Sequence, residues 1–159
     1  MDNRLITSRS QFQQAVRDGL AALATSNCKQ VWASDPDFAD WPWSERESIE
    51  QLQRWAMSHR QINVVALHFD ELVRRQARWV VWRRLWAHVV SCRVAADQDA
   101  AALPVMLLAP GLFTLRLTDK LHWRGRLSVE PADAALAFEE IDAITQRATA
   151  SFPAHVLGL

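Results

Sequence analysis

Glycine is scarce in this chain, with four residues in 159 and none clustered. Phosphate loops and dinucleotide-binding turns need grouped glycines so that backbone amides can approach an anion. Both are therefore excluded, and no G-x-S-x-G elbow presents a serine nucleophile. Cysteine is equally sparse. Cys28 and Cys92 lie far apart, each beside an apolar run that reads as strand. Without CxxC spacing they make neither a redox nor a zinc motif, and two reduced, half-buried thiols are expected. The histidines never fall at HxH or HExxH spacing, so no metal and no cofactor is expected. Charge of one sign is also missing, since 18 Lys plus Arg balance 18 Asp plus Glu. Any binding to a polyanion or an anionic membrane must come from a local patch. The most apolar segment, residues 100–115, is shorter than a membrane span of about twenty residues and is broken by Pro104, Pro110 and Gly111. "MDNRLITSRSQFQQ" has an acidic residue at position 2 and no apolar core of a signal peptide. A cytoplasmic protein whose mature chain starts here, with no membrane partner, is the expectation.

What is present suits one domain: half of the residues are hydrophobic, enough for an ordinary packed core. That domain is expected over residues 1–150, with 151–159 as a tail packed on its surface. Ser10 and Gln13 stand at capping-box spacing, and Phe12, Val16, Leu20 and Leu23 repeat with helical period, which predicts a helix from about 10 to 25. "KQVWASD" reads as a strand running into the loop "DPDFADWPW". Ser44 and Glu47 form a second capping box, before a helix ending near His59. "INVVAL" at 62–67 is a continuous apolar run, as in a strand buried on both faces. Asp70 can cap one helix running to about residue 89. A third strand at "VVSCRVA" follows, then three short runs, "PVMLLAP", "LFTLRLTD" and "LHWRGRLSV", with tight connections. Pro131 opens a final helix to about 148. The alternation of helices and strands predicts an α/β fold with a mixed β-sheet, parallel in its first half and antiparallel later, flanked by helices on both faces.

"RRQARWVVWRRLW", residues 74–86, holds five arginines and three tryptophans. On a helical wheel Trp79, Trp82 and Trp86 fall within about 60°, with Leu85 and Val89 along one flank, which favours a buried stripe over a ligand surface. The arginines do not share a face. Arg75 lies on the tryptophan side, where it could stack on an indole, reach a pocket, or pair with nearby acids. If the helix instead presents its charge, Arg74, Arg75, Arg78, Arg83 and Arg84 would form a nucleic-acid-binding surface.

Asp35 and Asp37 follow one strand, and His68 and Asp70 follow another. Ligands gather outside the carboxyl ends of strands in open α/β sheets, so these four residues, with Arg75, are the candidate ligand-binding set. A histidine with carboxylates could serve as a hydrolase, yet caps and loop hydrogen bonds from Asp35 and Asp70 are the simpler use. His122 in "KLHWRG" is expected on an alternating strand, at the surface.

The element order, helix, strand at "QVWASD", acidic and aromatic loop, helix, "SHRQINVVAL", helix, strands and a final helix, resembles the single-domain unit of the phospholipase D superfamily. That resemblance implies the motif H-x-K-x(4)-D on the strand "LPVMLLAP", where this chain carries Ala102, Pro104 and Ala109. The following glycine-serine-asparagine pattern is missing from "GLFTLRLTD" as well. A degenerate, non-catalytic relative is implied. "DFADWPWSERESIEQLQRWAMSHRQINVVALHFDEL" and "RWVVWRRLW" are also similar to an uncharacterised proteobacterial family of phospholipase D-like proteins with no assigned activity. The expected function is a non-catalytic interaction or ligand-binding protein. The superfamily's pairing of single units implies a homodimer, for which exposed tryptophans in "DWPW" would suit an interface.

Overall fold

The computed structural model describes residues 1–57 and 59–151. An eight-stranded sheet forms its centre, in the order β1 (Arg4–Ile6), β7 (Arg124–Ser128), β6 (Phe113–Asp119), β5 (Val105–Ala109), β2 (Gln30–Ser34), β3 (Gln61–Ala66), β4 (Val90–Val94) and β8 (Thr149–Ala150). Strands β2, β3 and β4 are parallel neighbours. Beside β2, the strands β5, β6 and β7 alternate direction, the mixed α/β arrangement expected from the sequence. Two short edge strands were not legible: β1, which pairs with β7, and β8, which pairs with β4. Both owe their strand character to a neighbour's free edge rather than to any pattern of their own.

The core lies on both faces of the sheet because strand side chains alternate. Val31, Ala33, Ile62 and Val64 face one way, together with helices α1 (Arg9–Ala24), α2 (Arg46–Trp55), α3 (Asp70–Arg75) and α4 (Ala77–Leu85). Trp32, Val65, Met106 and Leu108 face the other way, against Ala137, Ile141 and Ile144 of α5 (Pro131–Arg147). Among the described residues no helix is long and apolar enough to cross a membrane. The tail at 152–159 lies outside the described residues.

Three helix starts differ from their sequence signals. The cap of α1 is Ser8, whose side chain accepts from the Gln11 amide, two residues before the expected pair. Ser44 does not cap α2. Its Oγ accepts from the backbone N–H of Arg78 (2.9 Å) and Trp79 (3.4 Å), so it caps α4 across the fold. Asp70 is the first residue of α3 rather than its cap. The single helix expected from 70 to 89 is broken at Gln76, where φ is −119° and ψ 55°, and it stops at Leu85. Leu85, expected beside the tryptophans, is 68% exposed and lies in line with Ala77 and Val81 on the outward side of α4.

The tryptophans near that break pack into the core. Trp79 stacks on Trp43 at 4.7 Å and Trp43 on Phe38 at 4.7 Å, while Trp41 meets Phe12, Phe38 and Trp43 edge-on. Trp41, Trp43, Trp79 and Trp82 are all buried, with Trp86 partly so. An interface built on exposed tryptophans of "DWPW" is therefore excluded, because that loop supplies core.

Candidate functional site at the carboxyl end of the sheet

Pro36 ends β2 and turns the chain, leaving Asp35 at the strand's carboxyl end, 2% exposed. Its Oδ2 accepts hydrogen bonds from the amides of Asp37 (3.0 Å) and Phe38 (2.7 Å), a side-chain-to-backbone turn typical of aspartate. Phe38 adopts φ 59°, an uncommon conformation for so bulky a residue. Gln76 holds it there. Gln76 Nε2 donates to the carbonyls of Phe38 (3.1 Å) and Trp41 (2.6 Å), and its Oε1 accepts from the Ser44 amide (3.0 Å). The break between α3 and α4 thus sets one buried amide over the whole loop 38–44, which packs down on the core.

The cation at this site is Lys120, which no motif or spacing along the chain singles out. Its Nζ donates to both Asp35 oxygens at 3.2 Å. β6 runs back towards the carboxyl end of β2, so its last residues arrive beside Asp35 although they are 85 positions away in the chain. A bulge aims the lysine: Leu117 faces Gly125 but Asp119 faces Arg124, leaving Thr118 as the extra residue. Gly125 is required there, because a Cβ would lie 2.0 Å from the Arg116 carbonyl oxygen.

Burial pushes Asp35 above the usual carboxylate range, against the opposing pull of Lys120 and of the two amides. Burial also pushes Asp37 upward, but the Ala39 amide, the Lys120 ammonium, its hydrogen bond with Asp35 and the nearby His68 outweigh it and hold Asp37 below that range. Of the two carboxylates Asp35 therefore holds a proton the more readily. Asp35, Asp37 and His68 lie near one another, with Lys120 bonded to Asp35 and Asp37 within the electrostatic reach of both Lys120 and His68. Asp70 is exposed on α3. Arg75 is turned away: its Nε pairs with Glu71 at 2.7 Å rather than stacking on Trp79. His122 sits in the turn before β7, not on a strand, with Nδ1 2.8 Å from Asp119.

Among the described residues no group of three or more histidines, cysteines or acids could hold a metal. Of the three positions matched to the phosphodiesterase motif, Ala102 is exposed at the end of a 3-10 turn. The Pro104 carbonyl accepts from Ser34 Oγ at 2.7 Å beside Asp35, and Ala109 is buried at the far end of β5. Two of the three thus lie at the end of the sheet that Asp35 occupies. An apolar groove of about 430 Å³ lies at the other end of β2, lined by Cys28, Trp32, Pro110, Ala134 and Phe138, and takes in none of the sequence candidates.

The five arginines divide by helix face. Arg83 is 6% exposed and hydrogen-bonds to Cys92, so it is not part of any nucleic-acid surface. It lies on the tryptophan side of α4, four residues after Trp79. Arg74 and Arg75 are exposed and share Glu71. Arg78 is exposed and donates to the Ser44 carbonyl at 3.3 Å, and Arg84 is exposed.

No protein-family model matches the chain. No curated protein matches it either. Solved structures do. Nuc, a phospholipase D family member from Salmonella typhimurium, superposes with a TM-score of 0.59 at 7% identity, over 94% of this chain and 97% of Nuc. The chain has a phospholipase D-like fold. TrmBL2, an archaeal chromatin protein described for a novel mode of DNA binding, superposes with a TM-score of 0.66 at 11% identity, over 95% of this chain. This chain spans about half of TrmBL2, 54% of its length.

Proposed function

We propose that this chain is a non-catalytic interaction or ligand-binding protein on a phospholipase D-like fold, a degenerate relative acting in the bacterial cytoplasm as one domain over residues 1–150. The observation that carries this reading is the use made of Asp35. It is buried at the carboxyl end of β2, and its oxygens serve two loop amides and Lys120. The residues matched to the motif, Ala102, Pro104 and Ala109, supply neither nucleophile nor cation. The test is hydrolysis of bis(p-nitrophenyl) phosphate and of short DNA by the purified chain, with no release above a protein-free blank expected. Turnover abolished by His68→Ala with the fold intact would overturn the reading in favour of a hydrolase using His68, Asp70 and Asp35.

Nucleic-acid binding is the second reading, favoured by the exposure of Arg74, Arg75, Arg78 and Arg84 and by the likeness in fold to TrmBL2. Four phosphate contacts would give a log–log salt slope of about −3.6, roughly a hundredfold loss of affinity between 50 and 200 mM salt. Anisotropy of labelled duplex and single-stranded DNA at the two salt concentrations decides it. Binding insensitive to Arg78→Ala and Arg84→Ala, or none at low salt, removes this reading.

A further inference from the structure

The outward face of α4 is apolar. Ala77, Val81 and Leu85 recur every four residues within about 80° of arc, opposite Trp79 and Trp82. Val81 is 53% and Leu85 68% exposed, and Val73 of α3 adds a further exposed side chain. Arg84 borders this stripe on one side and Arg78 on the other. Among the described residues Arg84 has no ion pair or hydrogen bond, and Arg78 has only the Ser44 carbonyl. The opposite face of the same sheet carries the converse. On α5, Ala132, Leu136, Glu139 and Ala143 lie within about 60° of arc, bordered by Glu140 and Asp142. Leu136 is 66% exposed, and Glu139 has no partner among the described residues.

We propose that the arginine-bordered stripe of α4 docks on the acid-bordered stripe of α5 of a second copy of this chain, so that the protein associates head to tail. The proposal rests on the reading of the chain as an interaction protein and names its partner. Both stripes are apolar along their centres. Glu140 is already paired with Arg116 at 2.7 Å, but Glu139 has no partner among the described residues and Asp142 accepts only from the neutral Gln146. The α5 stripe therefore keeps uncompensated negative charge opposite in sign to Arg78 and Arg84, and each stripe is complementary to the other and repelled by itself. They lie on opposite faces of one sheet. A copy bound at α4 therefore leaves its own α4 and the first copy's α5 free, and the contact propagates into a ring or an open chain instead of closing as a twofold dimer. Nine residues of α4 extend only about 13 Å, well short of the roughly 800 Å² a side of a stable interface, so the association is weak and depends on concentration.

Sedimentation velocity from about 10 µM to about 1 mM tests this with the full chain and two variants, Leu85→Glu and Leu136→Arg, both at well-exposed positions that leave the core untouched. The unmodified chain is expected to grow in average mass beyond a dimer, and each variant alone to remain monomeric. An equimolar mixture of the two variants should form a one-to-one pair and nothing larger, because each retains the face the other has lost. A chain monomeric at the highest concentration, a variant that still self-associates, or a mixture that stays monomeric would each overturn the proposal. So would association that appears only when duplex DNA is added. Hydrolytic activity is measured separately, so failure here leaves the non-catalytic reading standing or falling by its own assay.

Discussion

Gln76→Ala should be among the most damaging single changes outside the aliphatic core. The side chain is 5% exposed and makes three hydrogen bonds, to the carbonyls of Phe38 and Trp41 and from the Ser44 amide. Truncation leaves the buried Trp41 carbonyl and the part-buried Ser44 amide without these partners, and leaves the Phe38 carbonyl with only the long bond from the Trp41 amide at 3.4 Å. Each unsatisfied group costs about 1–3 kcal/mol, and water entering the space left by the amide recovers part of that, so a loss of about 3–5 kcal/mol is expected. That is a large share of the roughly 5–15 kcal/mol by which domains are stable. With a urea dependence of about 2 kcal/mol per molar, the unfolding midpoint should fall by about 1.5–2.5 M. Tryptophan fluorescence reports on the same place, since Trp41 and Trp43 sit in the loop that Gln76 holds. Gln76→Glu separates hydrogen bonding from volume. It keeps an acceptor for Ser44 but sets carboxylate oxygens against the Phe38 and Trp41 carbonyls, and it should be no better tolerated than alanine at pH 7. A midpoint shift below about 0.5 M for either variant would refute the assignment of Gln76 as the anchor of this loop.

Lys120→Met removes the cation from Asp35, whose side chain is 3% exposed against 35% for the lysine. Breaking a buried pair costs about 3–5 kcal/mol, and the lysine's exposure reduces this to about 1–3 kcal/mol. The cost depends on pH. Asp35 titrates above its unfolded value, so the folded state keeps a proton the unfolded state has lost, and stability declines as pH rises from the unfolded pKa to the folded one. Without Lys120 that folded value rises further, so urea midpoints of variant and parent should converge near pH 3.5 and separate towards pH 7. A separation independent of pH would count against the ion pair. Cys92 is buried, and burial, opposed by Arg83, pushes its thiol up to about 12. Ellman's reagent at pH 8 should therefore reach Cys28 slowly and Cys92 only after unfolding. Rapid reaction of both thiols in the folded chain would contradict the placement of β4.

Local pattern was enough for most of the fold. Period 3.6 marked α1, Pro131 marked the start of α5, the run "INVVAL" marked the doubly buried β3, and proline and glycine punctuated the antiparallel half. The tryptophan stripe was also read towards its buried side, because a side chain's direction on a helix follows from its spacing alone.

Tertiary structure decided whatever depends on partners distant in sequence. Ser44 and Glu47 satisfy a local capping rule, yet Ser44 caps α4, because a hydroxyl bonds whichever exposed amides the packing brings to it. Gln76 looks like one polar residue in a continuous helix until the Phe38 and Trp41 carbonyls arrive across the fold. Asp35 and His68 were legible as residues at strand ends, but Lys120 was not. Its place beside Asp35 depends on two strand reversals and a bulge at Thr118, and no spacing along the chain encodes a distance closed by sheet topology. Pattern along a sequence reports which way a side chain faces, and only the packed chain determines what it meets there.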